Sequence, residues 1–359
     1  MIVVVGAGYA GVMAANSVAR GVSEPVVLVN ERDTFVERVR LHQLAAGQSL
    51  RVRPLAGLLR GPELAVGRVV RIDADERVVH LGDGRTIGYD TLVYALGSSG
   101  DLSVPGAAEF AFDVGAYSDA VRLRDRLAGG GSAVVVGGGL TGIEAAAELA
   151  RPDLKVSLVT DRVGAGLSER GRSYVLKVLE RRGVSVREGV RVESVHGDGV
   201  VLVGGESVAA DAVVWTAGFR VPGVAREAGF AVDGSGRMVV DGTLRSVSHE
   251  EVYGVGDAAA VRVGGQELRM ACATGLPAGQ HVGKVIAALR SGRAVPGLRF
   301  RYVNQCVSLG RGDALVQFVL ADDSARDRVL TGRVAAWYKE AIVRGTVFVQ
   351  RHPRVPVSL

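Results

Sequence analysis

Three kinds of residue in this chain stand where they can do chemistry. Two glycine triads, Gly6, Gly8 and Gly11 and then Gly137, Gly139 and Gly142, share the spacing GxGxxG. In such a triad the first glycine permits a tight turn, the second lets the backbone approach a pyrophosphate, and the third lets a helix pack closely on a strand. The diphosphate then sits at the positive end of that helix. Acidic residues close the apolar runs that follow: Glu31, preceded by Asn30, after Val26 to Val29, Asp161 after Val156 to Thr160, and Asp257 after Val252 to Gly256. A carboxylate fixed at a strand end, able only to accept hydrogen bonds, suits a ribose or another polyol. The third kind is His42, whose imidazole, if unperturbed, titrates near neutrality and can exchange a proton. The competing reading of His42 is a hydrogen-bonded structural histidine.

Each triad needs a strand before it and a helix after it, and the sequence supplies both twice. Ile2 to Val5 is a β-branched run, and a helical stretch covers Val12 to Arg20. Ser132 to Val136 and Ile143 to Ala150 repeat that arrangement. Val66 to Thr86 reads as a small antiparallel meander broken by Asp-Ala-Asp and Gly-Asp-Gly turns. It leads into the buried strand Asp90 to Gly97. In the second copy the helix Ser168 to Arg182 is followed by β runs at Ser185 to Val195 and Val200 to Val203, and then by Asp211 to Gly218. Asp90 matches Asp211 and Gly97 matches Gly218, so two dinucleotide-binding units lie in one chain. The expected fold is α/β: two Rossmann-like domains, each a parallel sheet with an antiparallel meander, and a small C-terminal α+β unit. The expected boundaries are 1–105 for the first domain, 106–239 for the second and 291–359 for the third, and the family resemblance described below implies that 240–290 returns to the first.

Between these landmarks, Asp33 to Leu50 reads as mixed helix or loop. A late helix over Thr274 to Leu289 has Val282, Val285, Ile286 and Leu289 at helical spacing. The tail carries two apolar strands, Tyr302 to Leu309 and Ala314 to Leu320, and an amphipathic helix near Arg333 to Arg344, and it reads as a separate small unit. Basic residues interleave there with Val334, Trp337, Ile342 and Phe348. Such a helix either packs on its own domain or across a homodimer, or makes a peripheral membrane contact. Pro353 and Pro356 favour a docked, extended tail.

The 359 residues are 48% hydrophobic, enough for several cores. The formal charge of +5 comes from arginines that alternate with carboxylates, which predicts a mixed solvated surface and no nucleic-acid partner. No run of about 18 apolar residues occurs, so no transmembrane helix is expected. The first strand begins at residue 2 without a basic leader, and a cytoplasmic location is expected. Cys272 and Cys306 are the only cysteines and stand far apart in sequence, forming neither a CxxC pair nor a metal-ligand set. No metal is expected.

The two glycine triads, the Gly256-Asp257 strand end and the short C-terminal unit together resemble the two-dinucleotide-binding flavoprotein superfamily of pyridine-nucleotide oxidoreductases. Within it the chain looks most like type II NADH dehydrogenases and apoptosis-inducing-factor-like oxidoreductases. The resemblance covers almost the whole chain. It implies FAD in the first unit, with Gly6, Gly8 and Gly11 at its diphosphate, Glu31 or Asn30 at the adenosine ribose and Asp257 at the ribityl chain. It implies NADH or NADPH in the second, held by Gly137, Gly139 and Gly142. Asp161 then favours NADH through the ribose hydroxyls, beside Arg162, which is able to take a 2′-phosphate. Arg40, Gly97, Gly218, Gly256 and Thr274 complete the implied cofactor-binding set, Thr274 marking a helix start that stabilises negative charge on the flavin. Glu144 is implied near nicotinamide and flavin, although a carboxylate at a helix start also suits the helix dipole. His42 is the candidate for proton delivery to the acceptor.

The departures matter as much. Disulfide reductases of the superfamily carry redox cysteines where this chain has Leu41-His42-Gln43-Leu44. Electrons are therefore expected to pass directly to an external small-molecule acceptor. Type II NADH dehydrogenases show two glutamines near the quinone at the start of the late helix, and Ala273 and Pro277 stand there instead, which weakens quinone as that acceptor. Two other readings remain open: an NADH-responsive flavoprotein that recruits a partner, and a reductase for a small iron–sulfur protein.

Overall fold

The computed structural model describes residues 1–357. Ile2–Val5 is fully buried at the centre of a five-stranded sheet. The strand order is Val252–Gly254, Thr91–Tyr94, Ile2–Val5, Val26–Asn30 and Glu63–Val66, and every pairing is parallel. Strands covered on both faces read as unbroken apolar runs rather than alternating ones, as Ile-Val-Val-Val does. Val252–Gly254 brings a distant part of the chain back to this sheet by pairing with Thr91–Tyr94.

The helix Tyr9–Gly21 packs along the long helix Cys272–Arg290. Two glycines allow the close approach: a β-carbon on Gly279 would run into the carbonyl oxygen of Ala10, and one on Gly283 into Ser17. The second sheet repeats the first, in the order Ala111–Asp113, Ala212–Trp215, Gly131–Val136, Leu154–Val159 and Ser185–Arg187, again all parallel. Its helices are Leu140–Leu149 and Glu169–Arg181. Ser168 caps the latter, its hydroxyl oxygen accepting from the Gly171 amide at 3.2 Å.

Each unit also has its three-stranded meander: Val69–Asp73, Val78–Leu81 and Thr86–Gly88 in the first, and Val192–His196, Gly199–Leu202 and Ser207–Ala209 in the second. The run Ser185 to Val195 is therefore divided between sheet and meander. Gly189, at a φ of +73°, makes the break.

The C-terminal part differs most from the sequence reading. Its sheet has a third strand, Ala325–Thr331, whose charged and exposed first half hides it from any apolar pattern. Its helix runs over Gly332–Arg351, well past Arg344, because Val343, Thr346, Val347 and Gln350 continue the buried stripe beyond Gly345. It is not free-standing either. Buried Gln317 accepts from Ser168 N at 3.0 Å and Ser168 Oγ at 2.8 Å, holding the second unit. Asn16 Nδ2 donates to the Gln350 carbonyl at 2.7 Å, and Gln280 Nε2 donates to those of Pro353 and Val355 at 2.9 and 2.8 Å. The tail is docked on the first unit; its last two residues, Ser358 and Leu359, lie outside the described part. Among the described residues no helix is long and apolar enough to cross a membrane.

Candidate active site

The glycine triads build two matching cradles. Gly6 has a φ of +99° and Gly137 of +113°, conformations that favour glycine. A β-carbon on Gly11 would strike the Gly6 carbonyl oxygen, and one on Gly142 that of Gly137. Gly8 and Gly139 are the caps of the helices Tyr9–Gly21 and Leu140–Leu149, with extended backbone and no side-chain cap. Nothing lies within 4 Å of where their β-carbons would be. An uncapped helix start, with free amide donors facing open space, fits a diphosphate. Both cofactors therefore meet a suitable cradle.

The ribose positions are less symmetrical. Asn30 does not reach outward: its Oδ1 accepts from the Ala7 amide at 3.0 Å and its Nδ2 donates to the Arg32 carbonyl at 2.9 Å, so its amide holds the glycine loop. Glu31 beside it is exposed and 3.3 Å from Arg32 Nε. In the second unit Asp161 is exposed and makes no ion pair among the described residues, while Arg162 lies 3.4 Å from Glu169.

Asp257 follows Gly256, whose φ is +70°. Its Oδ2 accepts from Ser98 Oγ at 2.7 Å and lies 3.6 Å from Arg38 Nη1. Gly97, just before Ser98, has a φ of +69° and open space beside it; its counterpart Gly218, at +76°, packs on Asp101. Asp257 and Thr274 line one small cavity with Gly256, Arg269 and Met270. The long helix starts at Cys272, so Thr274 sits inside its first turn, where the hydroxyl donates to the carbonyls of Arg269 at 2.7 Å and Ala271 at 2.8 Å.

A second constellation joins all three parts of the chain. His42, in the short helix Leu41–Ala45, is buried with its Nδ1 3.7 Å from Glu144 Oε2 and its Nε2 without a partner. Burial pushes its pKa well below the ordinary histidine value, and the charges of Lys339 and Arg40 push the same way. The imidazole is neutral at pH 7, not poised near neutrality as its unperturbed chemistry suggests. Glu144 accepts from the Ser308 amide at 2.9 Å and pairs with Lys339 Nζ. Burial pulls Lys339 down to about 7, helped by Arg40 and opposed by Glu340. The Glu144 carboxylate also favours the charged amine. Arg40 is not free for a cofactor: it lies 3.2 Å from Glu37 and 2.8 Å from Glu340, tying the short helix to the C-terminal one.

Sequence reasoning missed Lys339, Arg38 and Ser98. For Lys339 a signal existed: it is one of four lysines in an arginine-rich chain, and lysine rather than arginine can shed its proton when buried.

Two diphosphate cradles on repeated parallel sheets define a flavin- and nicotinamide-dependent oxidoreductase of the two-dinucleotide type. Residues 1–286 match the family model described as pyridine nucleotide-disulphide oxidoreductase. The chain is 37% identical over 314 residues to the NADH dehydrogenase-like protein Rv1812c of Mycobacterium tuberculosis, covering 79% of this chain and 78% of the relative. It is 26% identical over 393 residues to the type II NADH:quinone oxidoreductase of Staphylococcus haemolyticus, covering 97% and 95%. The structure of NDH2 from Plasmodium falciparum in complex with NADH superposes with a TM-score of 0.83 at 12% identity, covering 98% and 97%. The chain belongs to the pyridine nucleotide-disulphide oxidoreductase family, and as a member of it is an oxidoreductase that uses FAD and a nicotinamide dinucleotide, NADH or NADPH.

Proposed function

We propose that the first unit holds FAD, that the second takes NADH, and that electrons pass directly to a lipid-soluble quinone. One observation carries the reading: the Leu41–Leu44 segment offers a histidine beside Glu144, which in turn pairs with Lys339, where a dithiol relay would need cysteines. Bound FAD supplies the two-electron chemistry between NADH and acceptor. A quinone needs two protons as well as two electrons. Lys339, drawn down to about 7 by burial, is suited to release a proton at neutral pH, and Glu144 lies between it and His42. His42 stays neutral, so its two nitrogens accept on one side and donate on the other.

The C-terminal helix supports the quinone class. One stripe packs inward through Ala335, Val343 and Val347, and another stays outside. Val334, Trp337 and Phe348 are exposed on one face, Trp337 by 73%, and Arg333, Arg344 and Arg351 are exposed as well. An aromatic, arginine-bordered face suits the interface of an anionic membrane. The self-docking and membrane uses of this helix are thus properties of different stripes.

The test is the acceptor profile of the purified yellow protein. Rapid, sustained NADH oxidation with a soluble quinone, together with sedimentation on anionic vesicles that is lost in Trp337→Ser/Phe348→Ser, supports the reading. Slow reduction to a long-lived state with no turnover would favour a partner-recruiting flavoprotein instead. Turnover only with a small iron–sulfur protein would favour the reductase.

A further inference from the structure

Two short segments connect the units, and they pair with each other: Ser99 with Arg220 and Gly100 with Phe219, antiparallel; the second unit therefore ends near residue 218 rather than 239, and Ala225, Phe230 and Met238 lie in the core of the first. Their relative geometry sets the angle between the cradles. Arg38 of the first unit reaches both. Its Nη1 donates to the Ser98 carbonyl at 2.7 Å and to Ser98 Oγ at 3.0 Å, at the start of one crossing. Its guanidinium carbon stands 5.7 Å from the centroid of the Phe219 ring in the other. A β-carbon on Gly115 of the second unit would come within 2.9 Å of Arg38 Nη2, so the missing side chain there makes room for the guanidinium. The same Ser98 hydroxyl donates to Asp257, 3.6 Å from Arg38 Nη1.

We propose that Arg38 is a positioning residue for hydride transfer, its guanidinium locking both crossings at one inter-unit angle and linking that lock to Asp257. This rests on the reading that FAD and NADH occupy the first and second units. A planar cation can donate to Ser98 while lying over an aromatic face; a lysine ammonium cannot hold both in one geometry. Because hydride transfer needs near-contact distances, a small error in the angle between cradles is costly in rate and need not weaken either cradle.

The test uses Arg38→Lys and Phe219→Ala. Phe219 is 48% exposed, so its truncation leaves the fold intact. The first readout is hydrogen exchange in the holoprotein at Gly100 and Asp101, whose amides bond to Asp113 at 2.8 Å and to Gly218 at 3.3 Å. Both variants should exchange there about tenfold faster than wild type, with core strand Gly131–Val136 unchanged. The second is single-turnover reduction of the holoprotein, expected to slow by about tenfold to a hundredfold while FAD affinity and reoxidation by quinone hold in Phe219→Ala. Phe219→Tyr should restore both. Unchanged exchange and reduction in both variants would overturn the proposal, and so would loss of FAD as the sole effect. A wild-type protein that NADH does not reduce would instead defeat the assignment of the units, leaving the exchange result to decide on the lock.

Discussion

The two dinucleotide units differ in what packs behind their glycine loops, although the loops are built alike and both caps face open space. Behind the first cradle the long helix Cys272–Arg290 packs at glycine contact on Tyr9–Gly21, and the tail is held over both by Asn16 and Gln280. Asn30 ties its loop from below. At the equivalent point of the second loop Thr160 has a hydroxyl that donates to the Arg162 carbonyl at 3.4 Å, and Asp161 faces solvent unpaired among the described residues. The difference suits a resident cofactor in one and an exchanging cosubstrate in the other. One loop chemistry thus serves retention or turnover according to what packs behind it.

Breaking each cradle separately should give the largest effects. Gly11→Val drives a branched side chain into the Gly6 carbonyl, and overpacking against backbone costs on the order of 3 kcal/mol. The protein should be colourless and aggregate. Gly142→Val makes the same collision with Gly137, yet should yield yellow protein that NADH fails to bleach. If both variants lose flavin alike, the two units do not divide the cofactors as described.

Next in size is the Lys339 pair, through which the C-terminal unit supports the second unit. Lys339→Met leaves the Glu144 carboxylate buried without its partner, a loss of about 3 kcal/mol read from urea unfolding. Its pH signature is distinct. Below about pH 7 folded and unfolded chains both carry the Lys339 proton and the burial cost is full. Above it the folded chain has shed a proton that the unfolded chain keeps, so stability rises toward the ordinary lysine range, by up to about 1.4 kcal/mol per pH unit. Lys339→Met should lose that rise; a wild-type curve flat over this window would show that Glu144 keeps the amine charged throughout.

Smaller effects come from the polyol positions. Asp257→Ala removes the acceptor at Ser98 and, on this account, the ribityl contact, for about 2 kcal/mol or a roughly thirtyfold weaker FAD complex by fluorescence titration. Asp161→Ser should cut the ratio of NADH to NADPH specificity constants by about tenfold and leave FAD untouched. A wild-type preference for NADPH would contradict the role given to Asp161.

Much of the fold was legible because it depends on residues with few substitutes. Positive φ at Gly6 and Gly137, and backbone contact at Gly11 and Gly142, can hardly be met by anything but glycine, so the repeat shows in the sequence. Buried parallel strands announce themselves as apolar runs. The strand Ala325–Thr331 does not, since edge strands tolerate charge. The site was legible only where one local segment builds it. His42, Glu144 and Lys339 come from three separate parts of the chain, and nothing local to any of them predicts the meeting. Asn30 and Arg40 sit beside the right places and are spent on structure, a distinction that only their hydrogen-bond partners make.

Electrons cross, on this reading, from NADH through one flavin to the acceptor without a thiol relay. Anaerobic titration of the holoprotein with NADH, followed by flavin absorbance and by thiol counting under denaturing conditions, tests it directly. Complete bleaching is expected at one NADH per flavin, with the thiols of Cys272 and Cys306 equally titratable before and after. A second equivalent of NADH consumed as two thiols appear would contradict it.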